Sequence, residues 1–159
     1  MTWAELEAVA PEITGLGRER LERARVALLA TLRKDGSPRI SPIEPYFAEG
    51  HLLFGAMAWS LKVRDLARDP RCAVHSAVTG PDAGEGELKL YGRAAEANQD
   101  VRHACRDGWW IGRPGESAYV FTLAIDTATF VGWDYARSEM LVKRWSPEGG
   151  LVERKRSYP

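Results

Sequence analysis

The chain lacks most of what marks a protein for a membrane, a nucleic acid or an oxidising compartment. No apolar run approaches the roughly 20 residues that a bilayer-spanning helix needs, so no membrane partner is expected. Lysine plus arginine and aspartate plus glutamate number 22 each in 159 residues, a formal net charge of zero. Without a basic excess a general nucleic-acid binder is disfavoured, and any anion bound is a small one held by a local cluster. Cysteine is scarce: Cys72 and Cys105 have no framework spacing and read as reduced thiols, which points to the cytoplasm. The amino-terminal segment is too acidic and too interrupted for a secretory leader.

Motifs that carry chemistry are equally sparse. Cys72 and His75, three apart on an expected strand, face opposite sides, and His103 and Cys105, two apart on an expected helix, do not share a face. No metal site is expected from them. There is no G-x-S-x-G elbow, which weighs against a hydrolase. The glycine-rich phosphate loops of nucleotide-binding folds are missing as well. No repeat or low-complexity tract breaks the chain, whose length suits a single domain over residues 1–159.

What is present is a series of short strands. Residues 3–25 have helical periodicity, read as two helices split near Pro11 and Gly15-Leu16-Gly17. Strands are expected over 26–33, 38–47 and 51–57, the second bulged or at an edge because of Pro42 and Pro45. Further strands are expected over 71–78, 87–97 (Gly92 marking a bulge), 117–126, 128–136, 139–145 and 150–158, with a helix over 98–108. This pattern predicts a mainly β protein with short helices (α+β), a closed or split β-barrel rather than a parallel sheet.

One further segment, "AWSLKVRDLARDPR" at 58–71, reads as a helix with its charges reversed. Ser60 is a natural N-cap and Asp69-Pro70 a natural stop. Yet the first turn carries Lys62 and Arg64, where cations oppose the macrodipole at about 0.3–1 kcal/mol each. A phosphate would reverse that balance, since free first-turn amides, the Ser60 hydroxyl and Lys62 could all donate to it. Charge-assisted hydrogen bonds of about 1.5–3 kcal/mol exceed the dipole penalty. The alternative is a solvated face in which Asp65 and Asp69 serve as nearby counter-charges.

The order "ATLRKDGSPRISPI", a short strand, then "SLKVRDLARDPRCAVHS" resembles the pyridoxamine 5′-phosphate oxidase-like flavin-binding split barrels, most clearly over 29–78. The resemblance implies a homodimer with FMN at the subunit interface. It matches Ser60 and Lys62 to phosphate contacts at a helix entrance, and Arg39 to an arginine on the second strand that also reaches the phosphate. Ser41 and Ile43 share the face of Arg39 and would line the ribityl chain and ring. Met57, Ala58 and Trp59 would form the loop beside them. Arg64, with Arg68, could serve the longer acidic tail of the deazaflavin coenzyme F420, the alternative cofactor.

The departures from that family pattern are specific. Glu44 stands where the oxidases have lysine, Glu87 where they have glutamine, and "GWDYARSEMLVKRW" lacks their Arg-Leu-His-x-Arg run. They argue against oxidation of pyridoxamine phosphate itself. The resemblance thus implies an FMN- or F420-dependent oxidoreductase acting on an unidentified small organic molecule, with no catalytic residue assigned. A non-catalytic flavin or haem binder, or a stress-related protein, is the second expectation. The third is a plain β-barrel interaction protein whose helix holds nothing. "DGWWIGRPGES" (107–117), with Trp109 and Trp110, is either a substrate-side lid or structural packing, and the basic tail is read as a solvated final hairpin.

Overall fold

In the computed structural model, which describes residues 1–78, 86–106, 108–109 and 118–157, two helices precede a single antiparallel sheet. Helix α1 (Trp3–Val9) starts in a capping box, with Thr2 accepting from the Glu5 amide and Glu5 accepting from the Thr2 amide. Helix α2 (Pro11–Ala24) has proline in its first turn and ends at Arg25 in the left-handed region. The expected break at Gly15–Gly17 does not occur. Gly17 is instead where α2 lies on the sheet: a Cβ there would sit 2.8 Å from Leu88 Cδ2.

The strands are β1 (Ala27–Leu32), β2 (Pro38–Ile43), β3 (Pro45–Ala48), β4 (His51–Met57), β5 (Arg71–Ser76), β6 (Glu87–Glu96), β7 (Ala118–Asp134), β8 (Glu139–Ser146) and β9 (Gly150–Ser157). Helices α3 (Leu61–Arg68) and α4 (Gln99–Ala104) interrupt them. The sheet runs β2-β1-β5-β6-β7-β4-β3, with β8 paired to β7 and β9 to β8. The path starts at β2 and ends at β3, which are consecutive in the chain and separated by Glu44 alone. The sheet therefore curls round until its ends meet at one residue, with a split beside that joint. The strand expected over 38–47, bulged or at an edge, is two strands, and each stands at one end of the sheet path. Pro42 and Pro45, lacking N–H donors, flank the point where the ladder is abandoned.

Strand β7 also differs from expectation. In place of two strands over 117–126 and 128–136, there is one strand of 17 residues, which pairs with β6 from Phe121 to Val131. Its first part pairs with β4 on the other side and its last part with β8. The register slips at Tyr91/Gly92, where Tyr91 faces Thr127 and Gly92 faces Ile125, leaving Asp126 as the extra residue. Gly92 is required there because a Cβ would lie 2.1 Å from the Ala124 carbonyl oxygen.

Alternation along the strands builds the interior. Leu29, Val74, Leu88, Leu90 and Leu123 point in and meet Trp3, Leu6, Ile13 and Leu21 of the two leading helices. A second cluster lies on the opposite face of β4, where Leu53 and Val120 meet Val101 and Cys105 of the α4 segment, and Trp109. Strand β4 is thus buried on both faces, which leaves it a fixed wall for the split. The β8–β9 hairpin forms as expected, and its exposed last strand is tied down by Lys143, which bonds Glu12 at 2.5 Å and Glu153 at 2.6 Å.

Candidate functional site

The split and the start of α3 are adjacent. The chain leaves β4 at Met57 and turns through Ala58 and Trp59, with the Ser60 amide donating to the Met57 carbonyl at 2.9 Å. It then enters α3 with Ser60 at the N-cap (φ −70°, ψ 147°). That backbone suits a cap, but the hydroxyl caps nothing. Ser60 Oγ is buried and has no hydrogen-bond partner among the described residues. A buried hydroxyl left unpaired costs about 1–3 kcal/mol, so a missing acceptor or donor is indicated.

Two residues on, Lys62 turns toward the split and donates from Nζ to the Pro42 carbonyl at 2.9 Å. Burial holds its pKa below the ordinary lysine value. A negative group beside it would favour the charged form. The cavity in the split, about 240 Å³, is lined by Val26, Pro42, Ile43 and Glu44 on one side and Gly55, Ala56 and Met57 on the other, with Lys62 and Trp109. Trp109 is buried and stacked on Tyr46, with centroids 5.2 Å apart and planes within 4°. It is a structural wall of this cavity, whereas Trp110 and residues 111–117 of the expected lid lie outside the described residues.

The nominated residues thus fall into two neighbouring places. Ile43, Met57 and Lys62 line the cavity. Arg39 and Arg64 line an open groove with Arg33, Lys34, Asp35, Leu61, Asp65 and Arg68, five cations against two carboxylates in a chain of zero net charge. Ser41 lies between Arg39 and Ile43 on one face of β2, as the alternation predicts. Ala58 and Trp59 line neither, and Trp59 is 77% exposed. Ser60 stands at the start of the helix that separates the two.

In the solvated-face alternative Asp65 is a surface counter-charge, and it is not on the surface. It is 3% exposed and accepts from Arg39 Nε at 2.6 Å, Thr31 Oγ1 at 3.0 Å and Arg68 Nη2 at 3.2 Å. Burial pushes its pKa up, but the three donors outweigh burial and hold the carboxyl below its ordinary value. Asp69 instead pairs with Arg71 at 2.6 Å and is lowered to about 2, mainly by hydrogen bonds from the Arg71 side chain and amide. The helix cations therefore divide three ways: the last-turn Arg68 belongs to Asp65, while of the two reversed charges Lys62 faces the split and Arg64 faces the groove. Glu87 on β6 pairs with Lys89 and lies 3.5 Å from His75.

Residues 13–109 match the pyridoxamine 5′-phosphate oxidase family. The chain belongs to this family. Strands β1–β6 and helix α3, with the split and the groove, all fall within the match. No curated protein matches the chain. Among solved structures, an FMN-binding, pyridoxamine 5′-phosphate oxidase-related protein from Nostoc punctiforme is similar with a TM-score of 0.65 and 14% identity, over 99% of this chain and 100% of that one. PhzG from Burkholderia lata, in complex with tetrahydrophenazine-1-carboxylic acid, is similar with a TM-score of 0.67 and 13% identity, over 98% and 93%. A haem-binding protein from Mycobacterium smegmatis gives 0.59 and 15%, over 91% and 88%. At these identities the likeness shows the split-barrel fold that members of the oxidase family share, and no ligand.

Proposed function

We propose that this chain is a flavin-dependent oxidoreductase that binds FMN with its phosphate at the start of α3 and its ring in the split. The observation that carries the reading is the buried, unpartnered Ser60 hydroxyl beside Lys62. A phosphate there would receive the hydroxyl proton, the Lys62 ammonium and the free first-turn amides, within reach of the cations of the adjoining groove. Ile43, Met57 and Trp109 offer apolar surface to a ring, and Ser41 a hydroxyl along the way. A bound flavin supplies hydride transfer, and the protein's part is to position the ring, exclude water and tune charge near it. Among the described residues Glu44 is the one carboxylate in the cavity lining, and it takes no assigned role.

The reading includes a homodimer. The outer face of β2, β1, β5 and β6 carries an apolar strip where a solvated sheet face is ordinarily polar, bordered on β5 and β6 by Arg71, Glu87, Lys89 and Arg93. Ile40, Ala30, Ala73 and Tyr91 form one cross-strand row, and Pro42, Leu28, His75 and Lys89 the next. Ile40 is 68% exposed and Tyr91 50%. Pro42 belongs both to this face and to the cavity lining, so a second copy seated here would also cover the mouth of the split. The buried, unpaired thiols Cys72 and Cys105 fit a reducing compartment, and we take the protein to act in the cytoplasm.

Coenzyme F420 is the second reading, favoured by the groove, where Arg33, Lys34 and Arg64 line open space next to the phosphate position. Purified protein titrated in parallel with FMN, F420 and haem decides among them. The reading expects FMN to bind most tightly and to be reduced and reoxidised over repeated turnovers with a reductant and an acceptor. Preference for F420 moves the assignment to the second reading. Haem binding without flavin binding overturns both.

A further inference from the structure

Resting on the flavin reading, the geometry points to a role for Asp65 that the sequence did not suggest. We infer that Asp65 is a positioning residue for phosphate recognition: it holds the Arg39 guanidinium by its Nε edge and so aims the two terminal nitrogens at the phosphate end of the site.

A guanidinium has five N–H donors in a rigid fork, and Asp65 takes only the one on Nε. The Nη1 and Nη2 groups of Arg39 bond nothing among the described residues, although the side chain is only 21% exposed and lines the groove with Leu61 and Arg64. Asp65 cannot swing to follow Arg39. Thr31 of β1 holds the same Oδ2 atom, and Arg68, one turn further along α3, holds Oδ1. The carboxylate is therefore pinned from strand and helix together, and Arg39 takes its direction from it.

A second clamp lies one helical turn earlier. Lys62 Nζ bonds the Pro42 carbonyl, so β2 and α3 are joined twice, through Arg39–Asp65 and through Pro42–Lys62. The Ser60 hydroxyl sits at the end of the same helix. The arginine, the lysine and the hydroxyl are thus held in a fixed relation before any anion arrives, so that ordering cost is absent from binding.

Charge alone makes the opposite prediction, which gives the inference a clear test. If Asp65 were only a counter-charge, replacing it by asparagine would leave the site more positive and tighten FMN binding. If it positions Arg39, the same change loosens the guanidinium and weakens phosphate recognition. Wild type, Asp65→Asn and Thr31→Val are each titrated with FMN and with riboflavin, which differ by the phosphate, and their folding is checked by thermal unfolding.

The inference expects the FMN-to-riboflavin affinity ratio to fall about tenfold in Asp65→Asn, the worth of one charge-assisted hydrogen bond, with riboflavin affinity unchanged. Thr31→Val, which keeps the carboxylate but removes one of its restraints, should show a smaller fall in the same direction. A lowered Tm with an unchanged ratio in Asp65→Asn would make Asp65 merely structural, and a raised ratio would make it a counter-charge. Either result overturns the inference alone. A wild type that does not distinguish FMN from riboflavin overturns the flavin-phosphate reading and this inference with it.

Discussion

Substituting aspartate for Ile40 should dissociate the proposed dimer, and the exposed face allows the size of the effect to be worked out. Fully burying an isoleucine side chain is worth about 1.5–3 kcal/mol. Ile40 keeps 68% of its surface in the single chain, so about 1–2 kcal/mol remains to be gained on association. In a two-fold interface the residue occurs in both copies, giving roughly 2–4 kcal/mol for one substitution. At 1.4 kcal/mol per factor of ten, Ile40→Asp should weaken the dimer by about thirtyfold to several hundredfold. A buried, unpaired carboxylate pushes the effect to the upper end. Sedimentation over a dilution series reads this directly. Val152→Asp, at a similarly apolar but remote position on β9 that is 42% exposed, is the control and should leave association unchanged. A wild type that sediments as a monomer throughout, or an Ile40→Asp variant that dimerises as well as the wild type, refutes the reasoning.

Three further outcomes follow from single residues. Gly92→Ala would force its Cβ against the Ala124 carbonyl oxygen at the β7 bulge, a backbone clash that no side-chain rotation relieves, and should cost about 1–3 kcal/mol in urea unfolding. Asp65 has a folded-state pKa below its ordinary 3.8, so its stabilisation is complete above that value and is lost as pH falls through the depressed one. The stability gap between wild type and Asp65→Asn should therefore be constant near neutrality and shrink on acidification below about pH 4. Burial pushes the Cys72 thiol up to about 12, so it should resist an alkylating reagent in the native protein and react once the chain is unfolded.

Much of the fold was legible because it is written in local alternation. The inward Leu29, Val74, Leu88 and Leu90 and the turns between strands are visible to a period-two reading. What was not legible depends on partners distant in sequence. Glu44 is the joint of the barrel only because β2 and β3 come to opposite ends of the sheet path. Asp126 is a bulge only because Gly92 brings β6 close to β7. In the site, Ser60 and Lys62 stood out because they violate a helix-end preference, a local signal. Asp65 obeyed every local rule for a surface carboxylate, and its burial follows from Thr31 and Arg39, 34 and 26 residues away. Spacing could have supplied one hint, since Asp65 lies three residues beyond Lys62 and so near its face of α3.

The central claim is that α3 begins with cations because the site receives a phosphate. Titrating wild type and Lys62→Ala with FMN and with riboflavin, followed by flavin fluorescence, tests it most directly. Loss of one charge-assisted contact of about 1.5–3 kcal/mol predicts that FMN affinity falls between about tenfold and a hundredfold while riboflavin affinity stays the same. Equal FMN affinity in wild type and Lys62→Ala would contradict the account and leave the helix charges as surface.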